Sequence, residues 1–266
     1  MDFKDYLAKE GEKPLDNLVT GGGFCSIFRT IGCIGDSLSS GEHEGTDENG
    51  EKTYHDYYEY SWGQFMAREA GVKVYNFSRG GMTAVEYVTT FAEKNGFWSK
   101  DKLCQAYIIA LGVNDVINRE RELGSIDDIN LEDYNKNAEN FAGYYAKIIQ
   151  RLKELQPKAK FFLMSMPRKN DTEEKAEKRV RHSELLHNMA KIFDNTYVLD
   201  FNKYAPVYDE EFEKNFKLGG HLNAAGYLMT AKMVMSYIDY IIRNNMEDFS
   251  QVGFIGTEFH NKFAKW

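Results

Sequence analysis

Proline and cysteine are both scarce in this chain, four and three among 266 residues. No Pro/Gly/Ser-rich linker interrupts it, which predicts one large domain with a well-developed core. Cys25, Cys33 and Cys104 form no CxxC pair and no metal-type spacing with histidine, and an odd count argues against a disulfide framework. Reduced thiols fit a cytoplasmic protein. Basic charge is also in short supply: 33 Lys and Arg face 41 Asp and Glu, a net charge of -8 with a pI near 5.4. The average surface therefore repels a phosphate backbone, which argues against a nucleic-acid partner. The one basic cluster, "EEKAEKRVRH" at 173 to 182, is interleaved with glutamates at helical spacing and reads as a solvated helix face. Long apolar runs are missing as well. None reaches the roughly 18 residues that span a membrane, and the opening "MDFKDYLAKEGEKPLDN" has charges where a secretory signal would place its apolar run. The expectation is a soluble cytoplasmic protein with no membrane partner.

What the chain does contain is a set of short apolar runs: Thr30 to Ile34, Val72 to Phe77, Ala106 to Leu111, Lys160 to Ser165 and Tyr197 to Phe201. These predict five buried strands. Helical periodicity lies between them, clearest in Tyr134, Ala138, Phe141, Tyr145, Ile148, Leu152 and Leu155. Strand and helix alternate, which predicts an α/β fold: a five-stranded parallel sheet with helices on both faces. A last helix starts after Asn223, an N-cap residue, and runs through Leu228, Ala231, Val234, Ile238 and Ile241. Residues 1–29 read as an N-terminal extension, 30–243 as the core, and 244–266 as a tail with aromatics enough to dock. The acidic stretch 41–60, "GEHEGTDENGEKTYHDYYEY", reads as a polar loop beside the end of the first strand.

In parallel sheets of this kind, ligands bind beyond the carboxyl ends of the strands. Those ends carry Gly35-Asp36-Ser37, then Asn76 to Gly81, then Gly112-Val113-Asn114-Asp115, and "GGHLNAAGY" places His221 just ahead of the last helix. Serine acyl transfer needs a nucleophile, a base and preorganised donors facing the developing oxyanion. Ser37, His221, the Asn114 amide and the Gly81 N–H supply one candidate for each role. Taken singly, each piece has an ordinary use in a turn or a cap; it is their joint occurrence in order that points to a site. The remaining histidines, His43, His55, His182, His187 and His260, read as surface residues.

The four blocks "IGDSLSSG", "NFSRGGMT", "LGVND" and "GGHLNAAGY" resemble the serine, glycine, asparagine and histidine blocks of the SGNH hydrolases, also called GDSL esterases and lipases. The resemblance spans about residues 30 to 243. It implies a flavodoxin-like three-layer α/β/α sandwich and a serine ester hydrolase. In that role Ser37 attacks the carbonyl and His221 serves as base and then acid. The Ser37 N–H, the Gly81 N–H and the Asn114 side chain form the oxyanion hole. No metal or organic cofactor is implied, and the partner is a small-molecule ester. Most members carry an aspartate three residues before the histidine; here that position is Leu218. The expectation is therefore a Ser-His dyad whose imidazole is oriented by a backbone carbonyl near Lys217 or Leu218, with Asp209, Glu210 or Glu211 as a less favoured carboxylate. A cluster of Tyr54, Tyr57, Tyr58, Tyr60 and Trp62 follows the serine loop and suits an acylated carbohydrate, although Tyr58, Trp62 and Phe65 also suit core packing. Arg168, beyond strand four, is available to an anionic or hydroxylated group. Two further readings stand beside hydrolysis. One is a non-catalytic carbohydrate- or acyl-ligand-binding protein on the same scaffold. The other is a nucleotide or phosphate binder, weakened by the absence of a GxxxxGK[ST] loop.

Overall fold

The computed structural model describes residues 2–263 and 266; Met1, Ala264 and Lys265 of the two terminal segments lie outside the described residues. Among the described residues nine strands appear in chain order. β1 (Thr30–Gly35), β4 (Lys73–Asn76), β5 (Ala106–Ala110), β6 (Lys160–Met164) and β7 (Thr196–Leu199) form the central sheet in the order β4-β1-β5-β6-β7. Every pairing in it is parallel. These five are the strands expected from the apolar runs, and helices cover both faces to give the α/β/α layering.

Side chains alternate across the sheet, so each strand feeds two cores. Ile31, Cys33, Ile108 and Phe162 face the helices Trp62–Ala70 and Ala224–Asn244. Ile34, Tyr107, Ile109 and Phe161 face Phe141–Leu155 and Glu173–Ile192. The chain moves from β1 outward to β4, then back across β1 to β5, and continues through β6 and β7. Connections therefore reverse direction between β1 and β5, and the loops leaving those strands diverge to open a crevice. Gly35 pairs with Ala110, so the two strands end at the same level.

The terminal segments pack on this core. Val19 N donates to Ser236 Oγ at 3.0 Å, and Glu12 pairs with Arg243 at 2.5 Å. Phe249 of the tail is buried, and Gln105 Nε2 reaches Val252 O at 2.7 Å. Cys25, Cys33 and Cys104 are buried free thiols. Among the described residues, no helix is long and apolar enough to cross a membrane.

Four expectations need correction. Stretch 41–60 is not a loop alone: it contains an antiparallel hairpin, β2 (Glu42–Thr46) with β3 (Lys52–Asp56). The helix expected from Tyr134 starts at Phe141, because Asn140 caps it by accepting from Gly143 N at 3.0 Å. Upstream, Asn137 Oδ1 takes Asn130 N at 2.8 Å and Ala138 N bonds Asp128 O, so the backbone there is satisfied outside a helix. His182 is fully buried rather than on the surface. Nor is segment 173–182 wholly solvated, because Arg179 is buried against Asp171 at 2.7 Å.

Candidate active site

At the end of β1 the chain turns into a short helical turn, Ser37–Ser40, capped by Asp36, whose Oδ1 accepts from Leu38 N at 3.1 Å. Ser37 is the first residue of that turn, so its N–H has no intrahelical acceptor. Asp36 is only 4% exposed, and burial pushes its carboxyl up to about 7 against the Leu38 N–H, with Asp115 and Glu42 adding to the rise.

Gly81 follows β4 with φ +70°, a left-handed conformation that side chains resist. Asn114 sits in a π-helical turn, Val113–Asn118, directly after β5. Such turns add a residue to the helix and re-aim its side chains. Asn118 Nδ2 donates to Asn114 Oδ1 at 2.9 Å, which turns the Asn114 NH2 toward Met82 O (3.1 Å) and Asp36 Oδ2 (3.5 Å). The next residue, Asp115, accepts from Ala84 N with both oxygens at 3.0 and 3.2 Å. It thereby ties the glycine loop to the asparagine turn. Burial pushes Asp115 up to about 6, against Ala84 N–H and Arg121.

His221 opens β9 (His221–Leu222), paired antiparallel with β8 (Lys217–Leu218). The turn is Gly219-Gly220, with Gly219 at φ +66°. Asp36, Ser37, Glu42, Gly81, Asn114 and His221 line a single cavity of about 550 Å³. The four residues expected from the sequence are thus brought to one place. They are not joined by a nucleophile–base hydrogen bond: His221 Nε2 lies 3.1 Å from Glu42 Oε1 instead.

The imidazole orientation also departs from expectation. Neither a backbone carbonyl near Lys217 nor one near Leu218 sits at Nδ1; Glu44 Oε1 does, at 3.1 Å. Leu218 is half exposed, and Asp209 is spent capping Glu210–Phe216 by accepting from Phe212 N. Burial works against ionisation of Glu44, yet the Gly220 N–H, His221 and Lys52 outweigh it and hold the carboxyl below its ordinary value. Glu42 moves the other way. Burial raises it, His221 opposes, and Asp56 and Glu44 add to the rise. The ring thus has a carboxylate oxygen at each nitrogen, Glu44 at Nδ1 and Glu42 at Nε2, each at 3.1 Å. A proton on Nδ1 toward Glu44 is the arrangement that leaves Nε2 able to accept one.

Sequence reasoning missed Glu42, Glu44, Asp56, Asp115 and His182. A signal for the first three existed: Asn49-Gly50 is a hairpin turn dipeptide, and Gly50 takes φ +82°. Alternation along β2 then sends Glu42 and Glu44 to one face and His43 to the other, where it packs on Tyr227 at 5.1 Å. His182 fixes the β5 and β6 exits, accepting from Met166 N at 3.4 Å and meeting Leu111 O at 3.2 Å. Burial pushes it down to about 4.

Of the aromatic cluster, Trp62 is buried in the core and Tyr58 donates to Val74 O at 3.0 Å, while Tyr54, Tyr57 and Tyr60 are exposed. Tyr54 stands edge-on to His221 at 6.1 Å. Beyond β6, Met166, Pro167, Lys169 and Asp171 line the cavity, whereas Arg168 donates to Ala205 O at 3.2 Å.

Among solved structures, the chain is similar to a family two carbohydrate esterase from Clostridium thermocellum in complex with cellohexaose, with TM-score 0.56 and 18% identity. The match covers 80% of this chain and 64% of that one, so the chain spans under two thirds of that esterase's length. A carbohydrate esterase family 2 enzyme plus carbohydrate binding domain from Corynascus thermopiles (Myceliophthora fergusii) gives TM-score 0.54 at 19% identity, covering 79% and 65%. TesA gives 0.50 at 15%, covering 79% and 97%. At these identities the likeness is one of fold. No curated protein matches the chain in sequence. The profile of the GDSL-like Lipase/Acylhydrolase family, however, matches residues 31–234, the whole span from β1 into the last long helix. With its serine turn, glycine loop, asparagine turn and histidine hairpin on one cavity, the chain belongs to the GDSL-like lipase/acylhydrolase family.

Proposed function

We propose that the chain cleaves carboxylic esters through an acyl-enzyme on Ser37. The observation that carries this reading is the convergence of Ser37, Gly81, Asn114 and His221 on one cavity from four distant loops. Ser37 Oγ attacks the ester carbonyl carbon while its proton passes to His221 Nε2. The resulting oxyanion accepts from the Ser37 N–H, the Gly81 N–H and Asn114 Nδ2. Collapse breaks the ester C–O bond, and the departing alkoxide takes the proton from His221. Water, deprotonated by His221, then attacks the acyl carbon and frees the acid and Ser37. For the first proton transfer, Nε2 must exchange Glu42 for Ser37 Oγ, an adjustment that substrate-free sites commonly need.

The substrate class we propose is an acetylated carbohydrate. Exposed Tyr54, Tyr57 and Tyr60 offer rings on which a sugar can stack, and Tyr54 stands beside the base. The fold likeness to an esterase seen with cellohexaose points the same way. Hydrolysis of p-nitrophenyl acetate by the wild type, Ser37→Ala and His221→Ala tests the reading. Either substitution removes most of the rate, of order a thousandfold or more. Equal rates in all three proteins reject it and leave carbohydrate or acyl-ligand binding, for which the Glu42 hold on Nε2 is the favouring contact. A panel of acetylated sugars and longer p-nitrophenyl esters then tests the substrate class.

A further inference from the structure

We infer that Glu44 is the positioning acid of His221, supplied by the β2–β3 hairpin, and that Gly219 and Gly220 are glycines so that its carboxylate can reach the imidazole. The inference rests on the proposed hydrolase reading and adds a third member to its machinery.

Three observations support it independently of one another. Glu44 Oε1 lies 3.1 Å from His221 Nδ1 and takes the Gly220 N–H at 2.5 Å, so the same oxygen holds the imidazole and the backbone just before it. The side chain is 8% exposed, which preserves the strength of the contact with the ring. The second observation is one of shape. A Cβ on Gly219 would overlap Glu44 Oε2, and one on Gly220 would come within 2.7 Å of Oε1. A side chain at either position would displace the carboxylate, and Gly219 also holds a left-handed φ of +66°. The third is that Glu42, the other carboxylate on the ring, meets Nε2 and not Nδ1, and the candidates of the histidine segment stand elsewhere. Leu218 is half exposed, Asp209 caps a helix, and Glu210 and Glu211 are exposed.

A carboxylate at Nδ1 fixes the tautomer whose Nε2 can accept a proton and stabilises the imidazolium formed as Ser37 attacks. Lys52 Nζ, 3.3 Å from Oε2 but 68% exposed, adds little. Ser37, Glu42 and His221 line the cavity and Glu44 does not, so Glu44 acts through the ring.

The test compares the full-length wild type with Glu44→Gln and Gly220→Ala on p-nitrophenyl acetate. Glu44→Gln keeps the shape and an acceptor but loses the charge; kcat falls about 100- to 10,000-fold with KM within about threefold. Gly220→Ala keeps the carboxylate but pushes it off Nδ1, so kcat falls in the same direction. A proton NMR readout accompanies the kinetics: the downfield imidazole N–H resonance that His221→Ala abolishes moves upfield in Glu44→Gln. A purely structural role for Glu44 would leave that resonance in place in folded enzyme. If Glu44→Gln folds with kcat within about threefold of wild type and an unmoved resonance, the inference is wrong. If the wild type shows no Ser37-dependent turnover, the hydrolase reading fails instead, and the resonance alone decides the Glu44 contact.

Discussion

Replacing Asp36 by asparagine isolates the energetic cost of the carboxylate beside Ser37. The side chain is 4% exposed, and its carboxyl is pushed up to about 7, chiefly by burial. In the unfolded chain the same group titrates at its ordinary value of 3.8. Between those values the folded protein holds a proton that the unfolded chain has released. The contribution of Asp36 to stability therefore falls as pH rises through this window and is level above about 7 and below about 4. At about 1.4 kcal/mol for each pH unit, the window amounts to about 4 kcal/mol. Asparagine does not titrate and keeps an oxygen for the Leu38 N–H. Groups far from residue 36 titrate alike in both proteins and cancel in the difference. Urea unfolding of wild type and Asp36→Asn from pH 4 to pH 8 should show the variant gaining about 4 kcal/mol on the wild type across the range. A difference that stays within about 1 kcal/mol over that range would refute the burial argument. The prediction reaches function as well, since a buried acid that weakens the fold at neutral pH sits where Asn114 and the Ser37 turn meet.

Asn114→Ala removes the amide from the proposed oxyanion hole, and kcat for p-nitrophenyl acetate should drop about 100- to 1,000-fold with little change in KM. Gly32→Ala acts on the fold alone. Its Cβ would lie 2.8 Å from both Phe77 Cε2 and Tyr107 Cδ1, so urea unfolding should show a loss of about 1–3 kcal/mol while kcat of the folded protein is unchanged. Ser183→Ala deletes a 2.8 Å buried bond to Asp200. Burial works against ionisation of Asp200, yet His187, Ser183 and the Lys203 N–H hold its carboxyl down to about 2. The cost at pH 7, about 2 kcal/mol, should shrink as pH falls below 3.8 toward 2, because the ionised acceptor is then lost from the folded protein.

The central sheet was legible because its strands are buried on both faces. Apolar runs such as Ala106 to Leu111 have no other common use at that length, and the observed β5, Ala106–Ala110, falls inside the run. Strand order was not legible, since no local feature of β4 says on which side of β1 it pairs. At the site, Ser37, Gly81, Asn114 and His221 stand at strand or helix boundaries where sequence punctuation marks them. Glu42, Glu44 and Asp56 do not. They lie in a segment whose polarity resembles a solvated loop; Glu42 and Glu44 are shielded only when the hairpin folds against the histidine turn, and Asp56 stays exposed. His182 escaped for the same reason: on a helix of glutamates and lysines, its burial depends on Gly112, whose Cβ would lie 2.6 Å from the ring.

The hairpin explains how four loops without covalent ties hold a common geometry. Asp56 accepts from Ser40 Oγ in the nucleophile turn and from Gly80 N, 3.4 Å away in the glycine loop. Glu44 takes Gly220 N and His221 Nδ1 from the base loop, and Tyr227 at the start of the last helix donates to Glu42 O at 2.6 Å. The Ser37 turn through Ser40, the glycine loop through Gly80, and His221 itself are thus each bonded to β2 or β3, whereas Asn114 is placed from the other side by Asp115 and the π-helical turn. Loops pinned at separate points to one rigid two-stranded element move together, so a shift of the hairpin changes the nucleophile–base separation less than a shift of either loop alone. The stretch that reads as the least structured part of the sequence is in this way the piece that ties the Ser37 turn, the glycine loop and His221 together.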